Sequence, residues 1–286
     1  MLNKTNEDED WTLVVKPEVS WFDIRLSELW RYRDLIMLFV RRDFVSVYKQ
    51  TILGPLWFLI QPVLTTITFT IIFGNIAKIP TDGVPPMLFY LSGLVGWNYF
   101  ADCLNKTSNT FIGNAQLFGK VYFPRLAVPI SIVISSLVTY FIQLLLFLAF
   151  YFYFVLKGTT LHINQSVLLL PLLVLFMACL ALGSGIIISS MTTKYRDLRF
   201  LVTFGVQLLM YATPVIYPLS LLSPKMQFIL ALNPMTSLIE TFRYAFMGTG
   251  NLNFSHLAYS GIVSVAILFI GIVYFNKVEK SFMDNV

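Results

Sequence analysis

The chain has 286 residues, 57% of them hydrophobic and 12% charged, with a net charge of +5 at pH 7 and a mean hydropathy of +0.73. Soluble domains carry about 25% charged residues, so this composition excludes a water-soluble domain and indicates a polytopic membrane protein. The basic residues sit in short segments between apolar runs, which makes the charge a matter of membrane topology and excludes nucleic acid as a partner.

Residues 1–28 read as a polar cytoplasmic tail. The opening ten residues are acidic and lack the apolar core of a cleavable signal, so none is expected. An amphipathic helix is predicted over residues 29–50. Arg31, Asp34, Arg41, Arg42, Ser46 and Lys49 share one side, and Leu29, Ile36, Val40, Phe44 and Val47 the other. Its apolar run is too short to span, so the helix is expected to lie along the membrane surface. After Lys49 no charged residue appears until Lys78. About 20 apolar residues suffice to cross a bilayer, so the chain enters the membrane there.

The first span is predicted over 51–76, with Pro55 near its start and a kink at Gln61-Pro62. A proline-containing loop over 75–86 leads to a second span, 87–112, which carries Asp102, Asn105 and Lys106. Residues 113–125, GNAQLFGKVYFPR, form a polar and aromatic break. Further spans are predicted over 126–156, 167–191, 200–217 and 257–276. The stretch 218–256 is too polar for a span and too apolar for an ordinary loop. Asn233-Pro234 makes a helix start, Gly248 a stop, and Ser223-Pro224 begins a shorter helix. Two short re-entrant helices are therefore expected.

The fold class is thus all-α, with six transmembrane helices, an N-terminal interface helix and two re-entrant helices; residues 51–286 form the transmembrane domain. Orientation follows from lysine and arginine. With the N-terminus inside, fifteen of them fall on the inner side and four (Lys78, Lys157, Lys225 and Arg243) on the outer, with Lys106 near the inner end of its span. Both termini are expected in the cytoplasm.

No catalytic constellation is visible. His162 and His256 lack a zinc spacing or a nucleophile partner and read as surface residues. Residues 113–121 fail as a phosphate loop, because five residues separate Gly113 from Gly119 and Val121 stands where Ser or Thr would bind magnesium. Cys103 and Cys179 imply neither a disulfide framework nor a metal site. Asp102 and Lys106 lie four apart and can pair. Such a pair is either functional by virtue of its depth or close enough to the inner surface to reach it. Glu240 and Arg243 can also pair, three apart on one helix. Aromatic residues within spans and near their ends form either interface belts and packing or surfaces on which sugar rings slide.

The segments LGPLWFLIQPVL at 53–64, IIFG at 71–74, LFGKVYFPRLAVP at 117–129, KYRDLRF at 194–200, PVIYP at 214–218 and NPMTSLIETFRYAFMG at 233–248 carry a family resemblance through their order and spacing. Together they resemble the permease subunit of ABC-2-type polysaccharide exporters, which move O-antigen, capsular polysaccharide or teichoic acid across the bacterial inner membrane. The resemblance implies a non-enzymatic subunit that works as a homodimer with two cytoplasmic ATPase subunits, which bind the ATP and magnesium. It implies no cofactor in this chain, and a lipid-linked polysaccharide as substrate. The alternatives are an exporter of a small lipid or drug, or a membrane-embedded glycosyl or acyl transferase. By this resemblance Gln116, Leu117, Phe118, Lys120, Tyr122, Phe123 and Arg125 couple to the ATPase, with Phe118 as an anchor. Arg31, Arg41, Arg42 and Lys49 mark the interface helix. Trp57, Phe58, Tyr99, Tyr211 and Tyr217 are expected along the translocation path, and Glu240 and Arg243 at an outer gate.

Overall fold

The apolar runs become helices because a backbone in lipid must satisfy its own hydrogen bonds, and proline, asparagine and glycine set several of their ends. The computed structural model describes residues 26–49, 52–195 and 197–282. The first 25 residues of the expected tail, and Arg196 of the basic loop, lie outside them. Among the described residues there are helices and no strands.

Two helices, α1 (Leu26–Arg31) and α2 (Arg33–Tyr48), cover the expected interface segment. Helix α3 (Trp57–Phe69) follows a 3₁₀ turn at Gly54–Leu56, runs through Pro62 and widens into a π-helical stretch at Thr70–Ile76. Its threonines return their hydroxyls to carbonyls four residues back, as Thr66 does to Pro62 at 2.7 Å. Helix α4 (Pro86–Ser108) leads into the short helices α5 (Thr110–Gly113) and α6 (Ala115–Phe118). Then come α7 (Ala127–Leu156) and α8 (Leu170–Thr192), the latter opened by a 3₁₀ turn at Gln165–Leu169. Last are α9 (Leu198–Tyr211), α10 (Pro224–Ala231), α11 (Pro234–Met247) and α12 (Phe254–Phe282).

Four of the described helical stretches are long and apolar enough to cross a membrane: Gly54–Ile76, Ala127–Leu156, Gln165–Thr192 and Phe254–Val278. Two further predicted spans look different. Helix α4 is long enough but carries polar residues, and most of it is buried among its neighbours. Helix α9 stops at Tyr211, six residues before the predicted end of its span. Pro214 cannot continue a helix, and the carbonyls of Pro214 and Val215 turn to Arg243 instead.

The bundle is built on α4, α8 and α12, with α7 against α4. Two close approaches explain the order. A Cβ on Gly183 would sit 2.6 Å from the backbone of Leu268, and one on Gly271 would sit 2.7 Å from the Gly183 carbonyl. With lipid as solvent, small residues let helix backbones meet and gain dispersion contact. Among the described residues the buried hydrophobic side chains form two clusters. The larger centres on α4, α8 and α11, with Tyr90, Phe147, Met177, Leu238 and Phe242. The smaller lies at the opposite end and joins Leu29 and Phe39 to Phe111, Phe118, Phe123 and Phe275.

The interface segment is turned relative to its predicted faces. Among its described side chains Leu29 and Phe39 are buried, and Phe39 meets the Phe123 ring edge-on at 5.7 Å; the Val47 side chain lies outside the described ones. Val40 and Phe44 are only half-buried, while Trp30, Met37 and Leu38 form an exposed apolar flank.

Candidate functional site: a polar groove and a pinned helix

Trp57, Phe58 and Tyr99, expected along a path, line one recess between α3, α4 and α7, of roughly 360 Å³. The remaining walls are Gln61, Asn98, Asp102, Asn105, Lys106, Ser136, Tyr140 and Gln143, among others. A second recess, roughly 520 Å³, shares Phe58, Asn105, Lys106 and Thr139 with the first and continues to Arg42 and Ser46 of α2. The two form one groove that runs from the interface segment along α4.

The groove is polar but close to electrically balanced. The Lys106 ammonium lies 2.7 Å from the Asp102 carboxylate, which also accepts the Ser136 hydroxyl at 2.8 Å. Arg42 pairs with Asp43 at 2.8 Å while its guanidinium lies over the Phe39 ring. Asn98 donates to the Gln143 side-chain oxygen at 3.2 Å. Amides, hydroxyls and aromatic faces therefore dominate the wall. Sequence reasoning missed Gln61, Asn98 and Gln143. Their signal was available, since side-chain amides inside apolar spans are rare and face protein or water. Tyr211 and Tyr217 do not join this groove. The Tyr217 hydroxyl donates to the Tyr211 carbonyl at 3.0 Å, in the irregular stretch after α9.

Helix α11 begins and ends as expected. The Asn233 side chain accepts from the Met235 N–H at 3.1 Å, Pro234 occupies the first turn, and Gly248 closes the helix at φ 69°. Glu240 and Arg243 pair at 3.3 Å with both side chains buried. Arg243 does much more than the spacing suggested. Its guanidinium lies 3.8 Å from the centre of the Phe89 ring, donates to the Ser92 hydroxyl at 3.3 Å, and holds the Pro214 and Val215 carbonyls. The second Glu240 oxygen accepts the Asn251 N–H at 3.2 Å. One arginine thus ties α4, the break after α9 and α11 together. Gly93 makes room for it, since a Cβ there would approach the guanidinium to 2.8 Å.

The segment 116–125 splits into two sets. Gln116, Lys120, Val121 and Tyr122 are exposed, and Leu117 is half-buried. Phe118, Phe123 and Arg125 point inward instead of forming outward anchors. Phe118 packs on Phe111 at 6.0 Å and on Phe123 at 5.7 Å, and the Arg125 guanidinium lies over its ring. Phe111 stacks on Phe275 of α12 at 4.6 Å, which fixes the short helices to the bundle. Arg31, Arg41, Arg42 and Lys49 are all exposed on the interface segment.

Residues 34–247 match the family model of the ABC-2 type transporter membrane domain. The chain belongs to the ABC-2 type transporter family. Among its relatives are two Klebsiella pneumoniae proteins named O-antigen export system permease protein RfbA. They are 27% and 28% identical over 251 residues, covering 88% of this chain and 94% of theirs. A Myxococcus xanthus protein of the same name is 28% identical over 266 residues, 92% of this chain and all of that one. This ABC-2 chain is therefore a multi-pass membrane permease, homologous to O-antigen export permeases along most of its length.

Proposed function

We propose that this ABC-2 permease exports a lipid-linked polysaccharide across the bacterial inner membrane. The observation that carries this reading is the groove. It is nearly charge-balanced and lined by Trp57, Phe58 and Tyr99 beside Gln61, Asn98, Asn105 and Gln143. Sugar rings present apolar C–H faces and many hydroxyls. Aromatic faces and amides answer both, and paired charges neither trap nor repel a sliding neutral chain. The printed function of the relatives, O-antigen export, points the same way.

Six spans complete the permease when α4 and α9 join the four long helices. The end that bears the interface segment and residues 113–125 faces the cytoplasm, as the lysine and arginine distribution requires. Helices α10 and α11 are then the outer re-entrant pair, and the Arg243 cluster holds α11 as part of the outer gate. One six-helix unit cannot enclose a polysaccharide, so the path lies between two copies. Two ATPase subunits supply ATP and magnesium and dock on the exposed part of the cytoplasmic segment, through Gln116, Lys120, Val121 and Tyr122. The test uses W57A and F58A, singly and together, in a strain whose surface glycan is measured. The double variant is expected to lower export by roughly tenfold, the factor that corresponds to about 1.4 kcal/mol of lost contact. Unchanged export and chain length in folded, ATPase-bound protein would remove the groove from the path.

A further inference from the structure

A smaller recess lies between α10, α11 and the start of α12 and shares no lining residue with the groove. It encloses roughly 200 Å³. Phe228 gives it an apolar wall, and Gln227, Glu240, Asn251, Asn253 and His256 a polar one. The hydrogen-bonding capacity there is only partly used. Glu240 takes Arg243 at 3.3 Å, just beyond the usual range, and the Asn251 N–H at 3.2 Å, at its upper end. The Asn253 side-chain oxygen accepts the Ser255 and His256 N–H groups, which leaves its NH₂ to donate elsewhere. Gln227 donates to the Leu222 carbonyl at 2.9 Å, and its side-chain oxygen remains an acceptor. Thr236 also lines the recess, and its buried hydroxyl has no partner among the described residues.

We propose that this recess is a binding subsite for a single unit of a neutral sugar, which rests on the glycan-export reading above. A sugar ring would lay its C–H face on Phe228, give hydroxyl protons to Glu240 and Gln227, and accept from Asn253. A hard cation fits poorly. Calcium takes six to eight oxygens, and here the lining carboxylate is shared with Arg243. An anion would meet Glu240. The volume also lies below the ~300–1,000 Å³ of drug-sized sites, which matches one ring.

The test is saturation-transfer NMR on the purified full chain in detergent, with glucose, galactose, mannose, rhamnose and N-acetylglucosamine offered one at a time. The comparison is with the triple variant F228A/N251A/H256A. All three residues are exposed, and Asn251→Ala keeps the backbone N–H that serves Glu240. Thr236→Val, which removes only the buried hydroxyl, is the second variant. At least one sugar is expected to show transfer with the wild type. That signal should fall to the detergent background in the triple variant and weaken in Thr236→Val. Equal signals in wild type and triple variant, or no transfer to any of the five sugars, would overturn the subsite. ATP-driven glycan export by the wild type is measured separately. Export without a sugar signal removes the subsite alone, whereas a sugar signal without export removes the exporter reading and leaves the subsite standing.

Discussion

At the scale of single residues, Arg243 is fully buried and held from α4, α11 and the stretch after α9. A buried charge is tolerated only when paired and hydrogen-bonded, and here a carboxylate, a hydroxyl, two carbonyls and a ring share the task. Arg243→Met leaves Glu240 buried and unpaired, with an expected loss of roughly 3–5 kcal/mol. Glu240→Gln keeps the carbonyl contacts and should cost less. Thermal unfolding followed by size exclusion in detergent checks the order; equal loss in the two variants would contradict it. The sequence made the Glu240–Arg243 pair legible because it is local, three residues apart on one helix. It could not reveal Ser92, Phe89 or the Pro214 carbonyl, because only the tertiary fold brings residues 29 and 151 positions away onto one guanidinium.

At the scale of elements, the segment 116–125 separates buried packing residues from exposed ones. Phe118→Ala removes a buried ring from the Phe111–Phe123 cluster, and a loss of roughly 3–5 kcal/mol of stability is expected. Tyr122→Ala, at an exposed position, should leave the fold intact and lower ATPase stimulation. The two variants are compared by melting temperature and by hydrolysis with the partner ATPase. A stable Phe118→Ala protein that fails to couple would restore that ring to the interface. Helix packing gives a second contrast. Gly183→Leu forces α8 and α12 apart and is expected to abolish recovery of folded protein, whereas Gly205→Ala, with nothing within 4 Å of its added Cβ, should be neutral. Expression followed by fluorescence size exclusion reads both.

Element positions were mostly legible because apolar length, proline and asparagine act locally. The start of α11 at Asn233-Pro234 and its stop at Gly248 are examples. The early end of α9 was harder to read. Its cause combines Pro214 with a distant arginine that takes the next carbonyls. The faces of α2 were misjudged for a related reason. Phe39 becomes the buried residue through its contact with Phe123, and an exposed Met37–Leu38 flank breaks simple amphipathicity. A periodic pattern cannot tell which of two apolar flanks meets protein.

At the scale of the whole molecule, the ABC-2 family and the multi-pass architecture stand on the family match and the apolar helices. The proposed polysaccharide substrate stands on the groove. The proposed path between two copies, fed by ATP hydrolysis on separate subunits, demands that the transported chain itself stimulate turnover. Reconstitution of the permease with its partner ATPase in phospholipid vesicles measures this directly. A lipid-linked glycan is expected to raise ATP hydrolysis and to become accessible to a glycosidase on the far side. The W57A/F58A variant should lose most of both effects while still binding the ATPase. If the glycan leaves hydrolysis unchanged, and a short-chain phospholipid or an amphipathic drug stimulates it and is moved instead, the polysaccharide assignment is wrong.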